Sequence, residues 1–214
     1  MNDRADDQRV AGRAAAGLVL AIVLAACGGG GAARLARAAD AMEHLRGVRF
    51  SLDATSVATG GAPDGDLVLR YRGIGELVPP DRLRLTITEP RSATLIIVGE
   101  RVFVDGVPAP ATTLRTIASP VALLEQLREP GAVTYSGLGF TRGTLTARYR
   151  IDRGDRGVVD VELGLGDDLV RRQTFAVTEA AAPDGSGLTR VRTALAVEYW
   201  DHGADLRVGE PNPP

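Results

Sequence analysis

The sequence predicts an α+β protein: a strongly curved antiparallel β half-barrel of about 9–11 strands, with two or so helices covering its concave face. Three observations carry this expectation. From Val48 onward, apolar residues recur with a period of two in run after run, as they do in strands buried on one face. Turn-forming residues separate the runs, at Ala62-Pro63-Asp64-Gly65, Pro79-Pro80-Asp81 and Pro183-Asp184-Gly185. Only two stretches of the folded part keep a helical period. A sheet with one apolar face must cover it. Two short helices are few for a large curved sheet, and an apolar cavity beneath them is a natural outcome. A sheet curled until it is solid inside would show the same periodicity.

Taken in chain order, residues 1–26 read as a targeting segment. Arg4, Arg9 and Arg13 balance Asp3, Asp6 and Asp7, and Ala14–Ala26 carries no charge. About thirteen apolar residues are too few to span a bilayer, which takes about 20, and they suit the apolar region of a secretory signal peptide. The run ends Leu24-Ala25-Ala26-Cys27 and continues into Gly28–Gly31. Cys27 is the only cysteine, so it has no partner for an internal disulfide. No neighbouring His gives metal-ligand spacing, and no basic residue beside it would activate a thiol. Small residues before a lone cysteine match the lipobox of bacterial lipoproteins, in which the thiol takes a diacylglyceryl group, with palmitate the expected kind of chain. Two or three acyl chains anchor stably where one does not. The expected organisation is a signal peptide over 1–26, lipidated Cys27 with a Gly-rich tether over 27–34, and a single domain over 35–214. Such a protein is extracytoplasmic and held to the cell membrane.

The first folded element is expected over Ala32–Arg46, where Leu35, Ala38, Met42 and Leu45 form one stripe and Gly47 is a stop. Val48, Phe50, Leu52 and Ala54 then alternate with polar residues. Leu67, Leu69 and Tyr71 alternate with Arg70 and Arg72, and Arg82–Thr88 is the cleanest alternation of all. Thr94–Val98 and Val102–Val104 read as a hairpin about Gly99-Glu100. Ser119-Pro120 opens a short helix with a serine cap, proline in the first turn and the stripe Val121, Leu124 and Leu127. Further strands are expected at about 133–140, 144–152, 157–165, 168–178 and 188–200.

Four stretches resemble the LolA-like lipoprotein-carrier fold, and within it lipoproteins of the LppX/LprG type. Ala41–Phe50 is similar to that family's opening helix running into its first strand. Gly75–Arg82 is similar to its strand and Pro-Asp-Arg turn, and Ile97–Gly106 to its central hairpin. Tyr199–Gly203 with Leu206–Val208 and Pro211 resembles its closing strand and tail. The family often has an aromatic residue after the hairpin, where this chain has Val107-Pro108-Ala109-Pro110. The resemblance implies an apolar cavity holding acylated lipid or glycolipid. Its lining would come from Leu83, Leu85, Ile87, Leu95, Val161, Leu163, Leu195 and Val197 on strands, with Met42, Leu124 and Leu127 from the helices. The same residues would also make an ordinary core. The alternative function is a non-carrier envelope sensor or scaffold that binds a protein partner.

Other classes find little support. The formal net charge is −2 and aromatic residues make up 4% of the chain, which disfavours a nucleic-acid partner. All 25 basic residues are arginine, so no lysine chemistry is available. His44 and His202 are far apart, and Asp152, Asp155, Asp167, Asp168 and Asp201 fall at expected strand ends and turns. The Gly-Leu-Gly pairs at 137–139 and 164–166 lack a strand-to-helix phosphate cradle, and Ser119 reads as a cap. The chain is expected to have no catalytic site, metal or cofactor.

Overall fold

The structure, a computed structural model, describes residues 30–60, 66–110, 120–154, 157–180 and 190–211. The expected signal segment, Cys27, the expected turns about Pro63 and Pro183, Ser119 and Asp155 therefore lie outside the described residues. Two helices are described, α1 (Gly30–Glu43) and α2 (Pro120–Glu125). The first six strands are β1 (Val48–Thr59), β2 (Leu67–Val78), β3 (Arg82–Glu89), β4 (Ala93–Val98), β5 (Arg101–Val104) and β6 (Val107–Ala109). The other five are β7 (Ala132–Thr141), β8 (Thr144–Asp152), β9 (Val158–Gly164), β10 (Val170–Ala180) and β11 (Arg190–Trp200).

All eleven strands form one antiparallel sheet in the order β6-β5-β4-β3-β2-β1-β11-β10-β9-β8-β7. Two meanders, one from each half of the chain, thus meet where β1 pairs with β11. Among the described residues β6 and β7 end the order without pairing to each other, so the sheet is an open, curved half-barrel. Register fixes which side chains share a face. Phe50 lies opposite Tyr199, Leu52 opposite Val197 and Ala54 opposite Leu195. On the other flank Leu77 faces Leu83, and Leu83 faces Ile97. These pairs point to the helix-bearing face, called here the inner face. A one-residue slip would turn every one of them outward, so the alternation itself pins the register.

α1 opens at Gly30, so residues 30–34 of the expected tether are helical, and it closes before the expected end at Arg46. Packing explains the start. A Cβ on Gly31 would lie 3.0 Å from Val133 Cγ1 and 3.6 Å from the Tyr149 ring, so a bare backbone seats the first turn against β7 and β8. At the other end, the Leu45 N–H bonds to the Met42 carbonyl, a tightened last turn that releases the chain into β1. Leu35, Ala38, Ala39 and Met42 are buried against the sheet. α2 is one and a half turns long; Leu127, expected on its stripe, lies in the turn beyond it yet is fully buried. Arg128 joins the helices, reaching Asp40 and Glu43 near the end of α1 and Glu125 at 3.1 Å.

β6 was not foreseen: Val107, Pro108 and Ala109 pair with β5 as a short edge strand whose proline limits further pairing. On the opposite, outer face, the C-terminal tail folds back across β4 and β5. There Val208 packs with Ile96 and Phe103, and Arg101 bonds to Glu210 at 2.5 Å.

Candidate functional site

The structure brings the expected lining residues together. Leu83 and Leu85 from β3, Leu95 from β4, Val161 and Leu163 from β9, and Leu195 and Val197 from β11 all occupy inner-face register positions. With Met42, Leu124 and Leu127 they are buried in one continuous cluster, and Ile87 is half-buried against it. Leu35, Phe50, Leu77, Tyr149 and Tyr199 share that cluster. Beneath α1 and α2 these side chains therefore make contact with one another as a core does.

Beyond the helices the inner face stays apolar but is not closed over by the described residues. The β1–β2 and β10–β11 hairpins carry Ala58, Leu67, Leu69, Tyr71, Phe175 and Val191 on that side, as their registers require. Leu67 is 53% and Leu69 41% exposed. Sequence alternation placed Leu67 and Leu69 on one face with Tyr71; it could not show that the helices fall short of them. Position along the strand, rather than residue type, makes them accessible.

One polar chain crosses the apolar interior. Tyr199 Oη donates to Gln173 Oε1 at 2.9 Å, and Gln173 Nε2 donates to the Leu123 carbonyl at 3.1 Å. It ties α2 to β10 and β11 at a fixed height. Burial pushes the Tyr199 phenol far above its ordinary pKa, so it remains a donor at every accessible pH. At its first turns α1 is held by Arg34, whose Nε donates to Asp168 at 2.6 Å and whose Nη1 donates to Tyr149 Oη at 3.1 Å. Sequence reading singled out neither Gln173 nor Arg34. Alternation gave no signal for the first, because Arg171 and Phe175 flank Gln173 at a spacing of two and a register shift follows Val170.

The outer face holds an open groove of about 910 Å³ that the sequence did not announce. Small residues, among them Ser51, Thr55, Thr174, Ala176, Ala194 and Ala196, form its floor. Longer charged side chains stand around it: Arg72 bonds to Asp53 at 3.0 Å and Arg150 to Asp160 at 2.9 Å, while Arg172 lies 3.8 Å from Glu198. Positive and negative side chains alternate there, with no field of one sign.

The described residues weighed for catalysis have structural partners. His44 is exposed at the end of α1, beside the Asp40 carbonyl at 2.7 Å. His202 follows β11. Its Nδ1 accepts from Arg171 at 2.6 Å, so Nε2 carries the proton and donates to the Val170 carbonyl at 2.9 Å. Burial, with the Arg171 charge, holds His202 below the ordinary histidine pKa. Asp168 pairs with Arg34, Asp201 with Arg49 at 2.8 Å, and Asp167 with Arg171, and Asp152 accepts from the Gly154 N–H at 2.9 Å. Among the described residues, no group of three or more His, Cys, Asp or Glu could hold a metal ion, and no helix is long and apolar enough to cross a membrane.

No protein-family model matches the chain, and no curated protein matches it by sequence. Solved structures are similar to it. The Mycobacterium tuberculosis lipoprotein LppX has a TM-score of 0.49 at 13% identity, over 83% of this chain and 97% of that one. LprF from Mycobacterium bovis has a TM-score of 0.48 at 8% identity, over 85% and 96%. A LolA superfamily protein from Nitrosomonas europaea has a TM-score of 0.37 at 12% identity, over 83% and 94%. At these identities, and with every TM-score below 0.5, the likeness is a similarity of overall shape and carries nothing about family, ligand, partner or anchor.

Proposed function

We propose that this chain is an extracytoplasmic lipoprotein, anchored to the cell membrane through acylated Cys27, which binds and carries acylated lipid or glycolipid against its inner sheet face. The observation that carries the reading is the partly uncovered inner face, where Leu67 and Leu69 continue the buried apolar surface out to solvent. Each methylene withdrawn from water gains about 0.8 kcal/mol, so acyl chains leave a bilayer readily only into another apolar surface. A chain lying along Leu67, Leu69 and Tyr71 would extend the core instead of displacing it. Anchoring keeps that surface close to its lipid source.

Leu69→Glu places a charge on the uncovered surface, while Ile74→Glu places one at an exposed outer-face position of the same strand. Binding of a fluorescent fatty-acyl probe should weaken at least tenfold, about 1.4 kcal/mol, in the first variant and stay unchanged in the second. Equal binding in both variants, or none in the parent, rejects the reading.

A second reading has its own observation. β7 is a ten-residue edge strand, and among the described residues nothing pairs with its free side. Such an edge can accept a strand from a protein partner, as an envelope sensor or scaffold module would require. A stoichiometric protein partner recovered with lipid-free chain would favour it.

A further inference from the structure

At the tip of the β7–β8 hairpin the apolar inner face runs out past the helices, while the outer face is polar and partly buried. Thr141 and Thr146 are buried, and both hydroxyls donate to Glu162 Oε2, at 2.6 and 2.9 Å. Arg142, in the turn, lies 4.0 Å over the Trp200 ring and 3.3 Å from Glu198. The apolar residues face away: Leu138 is 46%, Phe140 68% and Leu145 49% exposed. Phe140 and Leu145 are direct cross-strand partners, and Leu138 precedes Phe140 on the same face, so the three form one patch. Polar groups hold the hairpin from behind, and the patch is presented as a fixed surface. Leu145 is in phase with Ala147 and Tyr149, so the patch is an uncovered continuation of the inner face at the β7 edge, large enough to call for a cover.

Its position says what covers it. Gly31, in the first turn of α1, sits against Val133 on β7 and Tyr149 on β8, and the patch follows Val133 along the strand within roughly 15–25 Å. Cys27 precedes Gly30 by a link that spans at most about 11 Å. The end of the chain that bears the anchor and the exposed apolar tip therefore belong to the same edge of the sheet. We propose that Leu138, Phe140 and Leu145 dock into the surface of the bilayer that holds Cys27, making the hairpin tip a second membrane contact that sets the orientation of the domain. This rests on the anchor reading given above. One short tether permits the domain to tumble over the membrane; two contacts on one edge fix it. The β1–β2 end of the inner face, where Leu67 and Leu69 are uncovered, then keeps a constant relation to the bilayer.

The test uses the full lipidated chain in phosphatidylcholine–phosphatidylglycerol vesicles. Acylation blocks the native thiol, so Leu145→Cys and, in the outer groove, Ala194→Cys can each carry a fluorophore. Iodide quenching of the label at position 145 should fall roughly fivefold on reconstitution, as for a group lodged at the headgroup–acyl boundary, with position 194 unchanged. Adding Phe140→Ser should restore quenching at 145. An acylated, vesicle-bound chain whose two labels quench alike overturns the docking and leaves the anchor standing. A mass spectrum without acyl groups on Cys27 overturns the anchor and the docking with it. Protection that rises with the protein-to-lipid ratio would identify a second copy as the occupant and overturn the bilayer in that role.

Discussion

Single residues set the closeness of this packing. Gly75 in β2 lies across from Phe50, and a Cβ there would come within 2.6 Å of both the Phe50 ring and the Arg84 carbonyl oxygen. Phe50 is fully buried and the carbonyl belongs to the sheet, so neither can yield cheaply. Gly75→Ala should destabilise the protein by about 1–3 kcal/mol, read from urea unfolding. His202 offers a pH test. Its folded pKa is depressed, so below the unfolded value near 6.5 the unfolded chain binds more protons than the folded one. The stability it contributes is therefore complete above about pH 6.5 and is lost as pH falls toward the folded pKa. Unfolding midpoints measured from pH 7.5 to 5 should decline in the parent, and His202→Gln should flatten that decline. An unchanged slope would mean that the Arg171–His202–Val170 arrangement does not persist in solution.

At the scale of elements, the C-terminal tail shows how one segment alters the reading of another. β4 carries Leu95-Ile96-Ile97-Val98 without alternation, which the strand could not tolerate with one face in water. The tail resolves this by laying Val208 over Ile96 and Phe103 on the outer side. Val208→Asp should lower stability by about 1–3 kcal/mol and raise binding of a hydrophobic dye. The continuous apolar run was the visible signal for this second cover; what covered it was not visible, because tail and strand are far apart in sequence. The same distinction separates what was legible from what was not. Strands with one wet face declared themselves through period two, and register followed from it. α1 was legible in its stripe of Leu35, Ala38 and Met42, but its start was not. Gly30 and Gly31 disfavour helix locally, and the contact with Val133 and Tyr149 overrides that preference. β6 escaped notice because Pro108 argues against a strand anywhere except at an edge.

For the whole molecule, the open order of the sheet is the central fact. A closed barrel has no free edge and a single enclosed interior. Among the described residues this half-barrel leaves the outer edges of β6 and β7 free, with an inner face longer than its described helices cover. The apolar residues of the candidate site could be named from alternation, since every inner-face leucine carries the same signature. Which of them contact helix and which contact solvent depends on where two short helices come to rest. That placement is decided by Gln173, Arg34 and Arg128, whose partners lie on other elements. The outer groove was likewise invisible, because small residues between charges look like any solvated strand face.

The most direct measurement is native mass spectrometry of residues 30–214, exported without the anchor in a lipid-rich bacterial host and purified without detergent, followed by organic extraction. The expected result is a folded chain carrying one stoichiometric acylated lipid, displaced by added fatty-acyl probe and lost in Leu69→Glu. A stable, monodisperse chain with no bound lipid and no affinity for the probe would contradict lipid carriage and turn attention to the free edge of β7.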